Sequence, residues 1–322
     1  MYGKVKIVIL DAETMGGDLD FSPLSRFGEL VVYPSTDNRN LTHRISDADI
    51  VIVNKVKLNR DNLNNAKRLK LICLTATGYD NIDVNYCWQR EIGVCNVKGY
   101  STESVAQVTM LMALELLTHL GEYRAAVTSG RYTRGESPLC TEPVFHEISG
   151  LTWGVVGYGA IGRRVAQLAA AFGCNILVCS RRTHIECSFK QATLDELCVK
   201  ADIISLHVPL NDETRRMINS RRLKLMKNSA ILINVARGDV IDELAACDAV
   251  LKGKIGGLAS DVYSTEPLTV TSPYNAMMSR SDVLLTPHMA WAAYESRTRC
   301  IKEVEKNIET FLMGGKRNRV DL

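Results

Sequence analysis

Thr152-Trp-Gly-Val-Val-Gly157-Tyr-Gly159-Ala160-Ile161-Gly162 is the stretch on which the fold of this chain turns. Thr152 to Val156 has the character of a buried strand, and a helical pattern follows with Ile161, Val165, Leu168 and Phe172 on one face. Three glycines alone are weak evidence, because Gly-rich turns are common. Between a strand and a helix each one has a task. Gly157 permits the tight turn, Gly159 lets the backbone approach a pyrophosphate, and Gly162 lets helix pack on strand. The unpaired N–H groups at the helix start then face the phosphates. The bland alternative is an ordinary strand-to-helix turn; the flanking context favours a dinucleotide.

The composition fits that reading. A chain of 322 residues is long enough for two domains. Its 46% hydrophobic and 23% charged residues are those of a soluble globular protein. A net charge of +3 argues against nucleic acid, and no Lys/Arg run interleaves with aromatics. The ten cysteines form no Cys-x-x-Cys pair, and several sit in apolar runs such as Ile-Leu-Val-Cys179. They read as reduced thiols of a cytoplasmic protein, not as a disulfide framework or a metal cage. The apolar run at Val5–Leu10 is too short for a signal peptide. The longest apolar helix is interrupted by Glu115 and His119, so no membrane span is expected.

Outward from the glycine turn, strands and helices alternate. Upstream, Lys6–Leu10, Ile50–Val53 and Leu69–Leu74 are short apolar runs, with helical stretches such as Asn59–Arg68 between them. They imply a smaller parallel α/β domain. Ser101-Thr-Glu-Ser104 gives a helix start, and the helix through Val105–Leu117 is apolar nearly all round, so burial is expected. Residues 121–149, with Gly130, Gly135, Pro138 and Pro143, read as an extended arm. Strands are expected at 152–156, 175–179, 202–206, 230–234, 255–260 and 282–286, a doubly wound parallel sheet of six. A long helical pattern from Ala292 to Met313 returns to the first domain. The expected division is therefore 1–100 with 292–322 as one domain. Residues 101–291 form the dinucleotide-binding domain, with its arm at 121–149.

Ligands of such sheets bind outside the carboxyl ends of the strands. Three polar groups lie just past those ends: Arg237 in Asn234-Val-Ala-Arg237-Gly238, Glu266 after Asp261, and His288 in Thr286-Pro-His288. Hydride moving between a nicotinamide and a carbonyl carbon needs a proton for the oxygen, which histidine supplies near neutral pH. A carboxylate such as Glu266 orients the imidazole, and a guanidinium suits a substrate carboxylate. Each residue alone has a plainer reading, as a loop histidine, a solvated Glu or a strand-ending Arg-Gly. Three together, beside a dinucleotide turn, point to a 2-oxo or 2-hydroxy acid.

Those residues carry a resemblance. Thr77-Gly-Tyr-Asp-Asn-Ile-Asp83, the glycine turn, His207-Val-Pro-Leu-Asn-Asp-Glu-Thr214, Asn234–Gly238, Asp261-Val-Tyr-Ser-Thr-Glu266-Pro267 and Thr286-Pro-His288 resemble the D-isomer-specific 2-hydroxyacid dehydrogenases nearly end to end. The early Asn54-Lys55 and Met289-Ala-Trp291-Ala292 resemble the glycerate dehydrogenase, or hydroxypyruvate reductase, branch. The resemblance implies an α/β fold of two Rossmann-like domains. One is a doubly wound cofactor domain; the other is a smaller, flavodoxin-like substrate domain. It implies catalysis by Arg237, Glu266 and His288, and a homodimer joined through the cofactor domain, a role the arm fits. Cofactor contacts are implied at Gly157, Gly159, Ala160, Ile161, Gly162, His207, Pro209, Thr214 and Val235, with Asp261 on the nicotinamide carboxamide. Substrate contacts are implied at Asn54, Thr77, Gly78, Arg237, His288 and Trp291, although Trp291 reads equally as plain core.

One departure concerns the cofactor. NAD-specific turns carry Asp or Glu at the end of the second strand, for the ribose hydroxyls. Here that position is Ser180, followed by Arg181 and Arg182. Losing the carboxylate removes repulsion of a 2′-phosphate, and guanidiniums attract it. NADP(H) is therefore favoured, with NAD(H) as the alternative if the loop is merely solvated. The expected activity is reduction of hydroxypyruvate or glyoxylate to D-glycerate or glycolate. A dehydrogenase for a bulkier apolar 2-oxo acid and a non-catalytic dinucleotide-sensing corepressor are the alternatives. The expected partners are small-molecule acids and a second copy of the chain, with neither nucleic acid nor membrane.

Overall fold

The computed structural model describes residues 5–135, 139–181 and 187–322. The chain divides into two compact units, Met1–Ser101 with Ala292–Leu322, and Thr102–Trp291.

The first unit is a five-stranded parallel sheet of β1 (Lys6–Ile9), β2 (Glu29–Val32), β3 (Ile50–Val53), β4 (Leu71–Leu74) and β5 (Gly93–Cys95), in the order β2-β1-β3-β4-β5. That is the flavodoxin-like order. β3 and β4 are apolar and buried at every position, as parallel strands covered on both faces must be. Helices α1 (Asn38–Ile45), α2 (Arg60–Leu63) and α3 (Val84–Gln89) begin on side-chain caps from Asp37, Asn59 and Asp83. The expected helix at Asn59–Arg68 is only this one-turn α2. The asparagines at 64 and 65 follow it into a turn, where their short amides compete with helical bonds. β2 and β5 escaped the sequence reading because β2 is an edge strand without a fully buried position and β5 has three residues. The terminal helix Tyr294–Leu312 belongs to this unit. Ser296 and Asn307 on it bond to the Tyr100 and Asn96 carbonyls.

The second unit is a seven-stranded parallel sheet. Its strands are β6 (Thr152–Val156), β7 (Asn175–Cys179), β8 (Lys190–Gln191), β9 (Ile203–Leu206), β10 (Ile231–Asn234), β11 (Gly257–Ser260) and β12 (Val283–Leu285). The order β12-β11-β10-β9-β6-β7-β8 reverses between β6 and β9, as in doubly wound nucleotide-binding sheets. Six strands were expected; the seventh, β8, is two exposed residues at the edge and carries no apolar signal. Helices α4 (Thr102–Thr118) and α6 (Ala160–Ala171) share one core with a face of the sheet. α7 (Leu194–Lys200), α8 (Ser220–Leu225) and α9 (Glu243–Leu251) share the core of the opposite face.

The structure departs from three of the expectations. The buried face of α6 is Gly162, Val165, Ala166 and Ala169, and Phe172 caps the helix at 45% exposure. Small residues win that face because they let α6 lie close to the sheet. α4 is not buried all round, since Leu111 is 55% exposed. The arm is not extended throughout. α5 (Leu120–Thr128) follows His119, which takes a left-handed conformation and separates it from α4. Only Ala126 of α5 is buried, so its sequence shows no apolar stripe. Pro138 lies outside the described residues.

Candidate active site

The dinucleotide turn obeys the glycine logic, with a measurable reason at each position. Gly157 has φ +93°, and a Cβ there would stand 2.6 Å from the His207 carbonyl oxygen. A Cβ on Gly162 would stand 2.0 Å from the Gly157 oxygen. A Cβ on Gly159 would meet nothing within 4 Å. Gly157 and Gly162 are therefore required by the chain's own packing, and Gly159 is not. Gly159 is the N-cap of α6, and both it and Ala160 are exposed, so the first N–H groups of a twelve-residue helix open at the β6/β9 reversal. These residues fit a bound dinucleotide.

Around the turn the expected contacts divide. Ile161 and Val235 are half-buried against the α4/α6 core, and Pro209 is exposed. Thr214 is buried; its hydroxyl donates to the Pro209 carbonyl at 2.6 Å, so it shapes the loop after β9. Ser180 ends β7's surroundings half-buried, and the exposed Arg181 forms an ion pair with Glu213. Arg182 lies outside the described residues. His207, just past β9, holds its Nε2 2.9 Å from the Ser205 hydroxyl, while its Nδ1 is buried without a partner among the described residues. Burial pulls its pKa down to about 3, so the ring is neutral at physiological pH.

The three catalytic candidates sit past three adjacent strands, β10, β11 and β12. His288 Nδ1 stands 2.6 Å from Glu266 Oε2. Glu266 uses its other oxygen to accept the Tyr263 N–H at 3.1 Å, so the carboxylate cannot swing freely. His288 has φ +54°, an uncommon conformation for a non-glycine residue, and such strain gathers at functional sites. Asp261 holds it there. The buried carboxylate accepts the Thr286 hydroxyl at 2.6 Å and the N–H groups of Met289 and Ala290 at 2.8 and 2.9 Å, gripping the loop on both sides of His288. Burial raises the Asp261 carboxyl above its ordinary pKa, opposed by those bonds and by the nearby imidazole. The Tyr263 hydroxyl adds a bond to the Thr286 carbonyl at 2.8 Å, and burial pushes its own pKa up to about 12.

Arg237 is held on a matching turn. Asn234 accepts the Ala236 N–H at 3.1 Å and donates to the Arg237 carbonyl at 3.0 Å. A Cβ on Gly238 would stand 1.9 Å from the Tyr263 carbonyl carbon, so this turn lies directly on the segment leading to Glu266. Trp291 is half-buried against the α4/α6 core.

In the first unit, Asn54 is occupied internally. It is buried, and its amide donates to the Thr14 hydroxyl at 2.9 Å. The carboxylate of Asp11 accepts the N–H groups of Asn54, Lys55 and Val56 at 2.9, 2.6 and 3.1 Å. Asp11 thus fills, with the chain's own anion, the β1/β3 reversal where flavodoxin-like sheets take a phosphate. Thr77 is exposed, and its hydroxyl donates to the Val97 carbonyl at 2.7 Å; Gly78 follows it half-buried.

Sequence reasoning missed Tyr263, Ser205 and the anchoring work of Asp261. A lone hydroxyl in the apolar strand Ile-Ile-Ser205-Leu was the signal for Ser205. For Asp261 it was an acid directly after the buried strand β11.

Comparison with known proteins gives the family. The family model "D-isomer specific 2-hydroxyacid dehydrogenase, NAD binding domain" matches residues 110–290. The chain is 33% identical to a hydroxypyruvate reductase of Blautia hydrogenotrophica, over 98% of this chain and 100% of the relative. It is 32% identical to a glycerate dehydrogenase of Methylorubrum extorquens, over 98% and 99%. Among solved structures it resembles D-lactate dehydrogenase from Aquifex aeolicus complexed with NAD and lactic acid, at 30% identity and a TM-score of 0.86, covering 98% of this chain and 99% of that one. With the nucleotide turn and the His288–Glu266 pair past β11 and β12, these matches lead to one conclusion: the chain belongs to the D-isomer-specific 2-hydroxyacid dehydrogenases, oxidoreductases that act on 2-hydroxy acids.

Proposed function

We propose that this protein reduces a short 2-oxo acid, hydroxypyruvate or glyoxylate, to D-glycerate or glycolate, with NADPH preferred over NADH. The observation that carries the chemistry is the 2.6 Å bond between His288 Nδ1 and Glu266 Oε2. It orients the ring and leaves Nε2 to give a proton to the substrate oxygen. A bound reduced nicotinamide supplies the hydride. The Arg237 fork binds the substrate carboxylate and polarises the carbonyl. Asp261 keeps the His288 loop in its strained conformation, and its remaining lone pairs suit a carboxamide N–H. In the first unit, the Thr77-Gly78 backbone is the proposed carboxylate-binding segment. Relatives named hydroxypyruvate reductase and glycerate dehydrogenase, matched over nearly the whole chain, support a small polar substrate. Initial rates against hydroxypyruvate, glyoxylate and phenylpyruvate test this. Hydroxypyruvate or glyoxylate should lead; a large advantage for phenylpyruvate would assign a bulkier apolar acid instead.

The cofactor preference rests on Ser180 and Arg181. The ion pair between Arg181 and Glu213 is exposed on both sides, and such pairs are worth about 0–1 kcal/mol. A phosphate on the same guanidinium makes stronger, charge-assisted bonds, so it displaces Glu213. Arg181→Gln should therefore weaken NADPH binding about tenfold or more while barely changing NADH. Glu213→Gln should shift selectivity the opposite way, by removing both competitor and repulsion. Titrations of each variant with both cofactors check this; equal changes for the two would exclude a role in 2′-phosphate selection.

We further propose a homodimer in the cytoplasm. Leu111, Leu120, Val127, Val144 and Phe145 are all at least half exposed on α4, α5 and the arm. A groove of about 310 Å³ between α4 and residues 145–149 lies in the same region. Exposed apolar side chains beside such a groove suit a partner surface. No single helix among the described residues is long and apolar enough to cross a membrane. Sedimentation equilibrium should give twice the chain mass.

A further inference from the structure

Ser205 is fully buried in β9, and two nitrogens approach its hydroxyl. Trp153 Nε1, on the neighbouring strand β6, donates to Oγ at 2.9 Å. His207 Nε2 stands at 2.9 Å from the same atom. An indole N–H is only a donor, so one lone pair of Ser205 is committed to Trp153. Were Nε2 protonated as well, the hydroxyl would receive two donors, and its own hydrogen would have no acceptor among the described residues. The other arrangement satisfies the indole N–H, the hydroxyl and Nε2 together. Ser205 donates to an unprotonated Nε2, and the ring proton sits on Nδ1. The ring is neutral, because burial depresses its pKa to about 3, so the choice is between tautomers and not charges.

The location gives the tautomer a use. His207 stands at the β6/β9 reversal, its carbonyl packed on Gly157 of the dinucleotide turn. Its Nδ1 is buried and partnerless among the described residues. Dinucleotides present mainly oxygens: ribose hydroxyls and phosphates. A bare nitrogen would repel phosphate oxygens and could only accept from a ribose hydroxyl, whereas an N–H donates to either.

We propose that Trp153 and Ser205 fix His207 as its Nδ1–H tautomer, so that it offers a ready-made hydrogen-bond donor to an oxygen of the bound dinucleotide. Trp153 and Ser205 are positioning residues that act through the imidazole. Setting the proton in advance spares the site a rearrangement on binding. The inference rests on the dinucleotide reading above and adds the means by which one contact is prepared.

Full-length protein labelled with ¹⁵N-histidine, without cofactor, tests it. The His207 signal, one of six, is identified by its loss in His207→Gln. It should report a protonated Nδ1 and a bare Nε2, unchanged from about pH 5 to 8. Ser205→Ala should move the proton toward Nε2 and raise the NADPH dissociation constant about five- to tenfold. Ser205→Thr should restore both. Trp153→Phe, which frees Ser205 from its fixed donor, should give mixed tautomers and keeps the test open if Ser205→Ala fails to fold. A wild-type ring protonated at Nε2 overturns the proposal, as does Ser205→Ala with unchanged tautomer and affinity. Wild-type protein that binds neither NADPH nor NADH would instead defeat the underlying dinucleotide reading, whatever the tautomer.

Discussion

His288→Ala is expected to lower kcat by about 10²–10⁴-fold, the usual worth of a positioned general acid, while the dissociation constant for NADPH stays near wild type. The separation follows from where the histidine sits. Its ring is bonded to Glu266, past β11, and its loop is tied to Asp261. The glycine turn and α6 begin past β6, and β9 and β10 lie between that strand and β11. Removing the imidazole would take away the proposed proton donor and leave the backbone of the glycine turn undisturbed. Glu266→Gln should cost less, since a neutral amide still fills the space beside the ring but no longer stabilises its protonated form. Turnover rates paired with cofactor titrations measure both. Full activity in His288→Ala would remove the histidine from the acid/base role.

Gly238→Ala should have the second largest effect, from a single methyl group. The added carbon would stand 1.9 Å from the Tyr263 carbonyl carbon and 2.1 Å from the Ser264 nitrogen. Both are backbone atoms and cannot rotate away. The Arg237 turn must therefore separate from the segment that carries Glu266. A shift of about 1 Å in a positioning group costs about 10²-fold, and that loss is expected in kcat/KM for the 2-oxo acid. Overpacking of this kind costs about 1–3 kcal/mol of stability as well. Gly159→Ala is the contrasting variant. Its methyl meets nothing within 4 Å, so the melting temperature should hold while dinucleotide affinity falls. Thermal unfolding and steady-state kinetics on the pair separate packing from ligand contact. A Gly238→Ala enzyme with wild-type kcat/KM would show that the Arg237 turn is not critical.

What could be read in the sequence follows from the range of the forces involved. The glycine turn was legible because its demands are local: a positive φ at Gly157 and a close approach at Gly162 are written in two residues. Buried strands such as β3 and β4 announce themselves by continuous apolar runs. β2 and β8 do not, because they lie at sheet edges where ladder bonds to one neighbour suffice and no apolar face is required. Phe172 looked like core by periodicity, yet α6 ends at Ala171 and leaves it outside. The candidate site was legible as three polar residues at three strand ends. Its geometry was not. The grip of Asp261 on Met289 and Ala290 spans 28 and 29 positions, and nothing local distinguishes an anchoring carboxylate from a ligand-binding one. The occupation of Asn54 by Thr14 is likewise a contact across 40 positions.

The most direct test of the central claim is the initial rate of NADPH oxidation with hydroxypyruvate, measured beside NADPH binding on the same preparation. Saturable oxidation that disappears in His288→Ala is the predicted result. Protein that binds NADPH yet oxidises it with no 2-oxo acid would contradict it, and would mark the chain as a dinucleotide-binding protein without this catalysis.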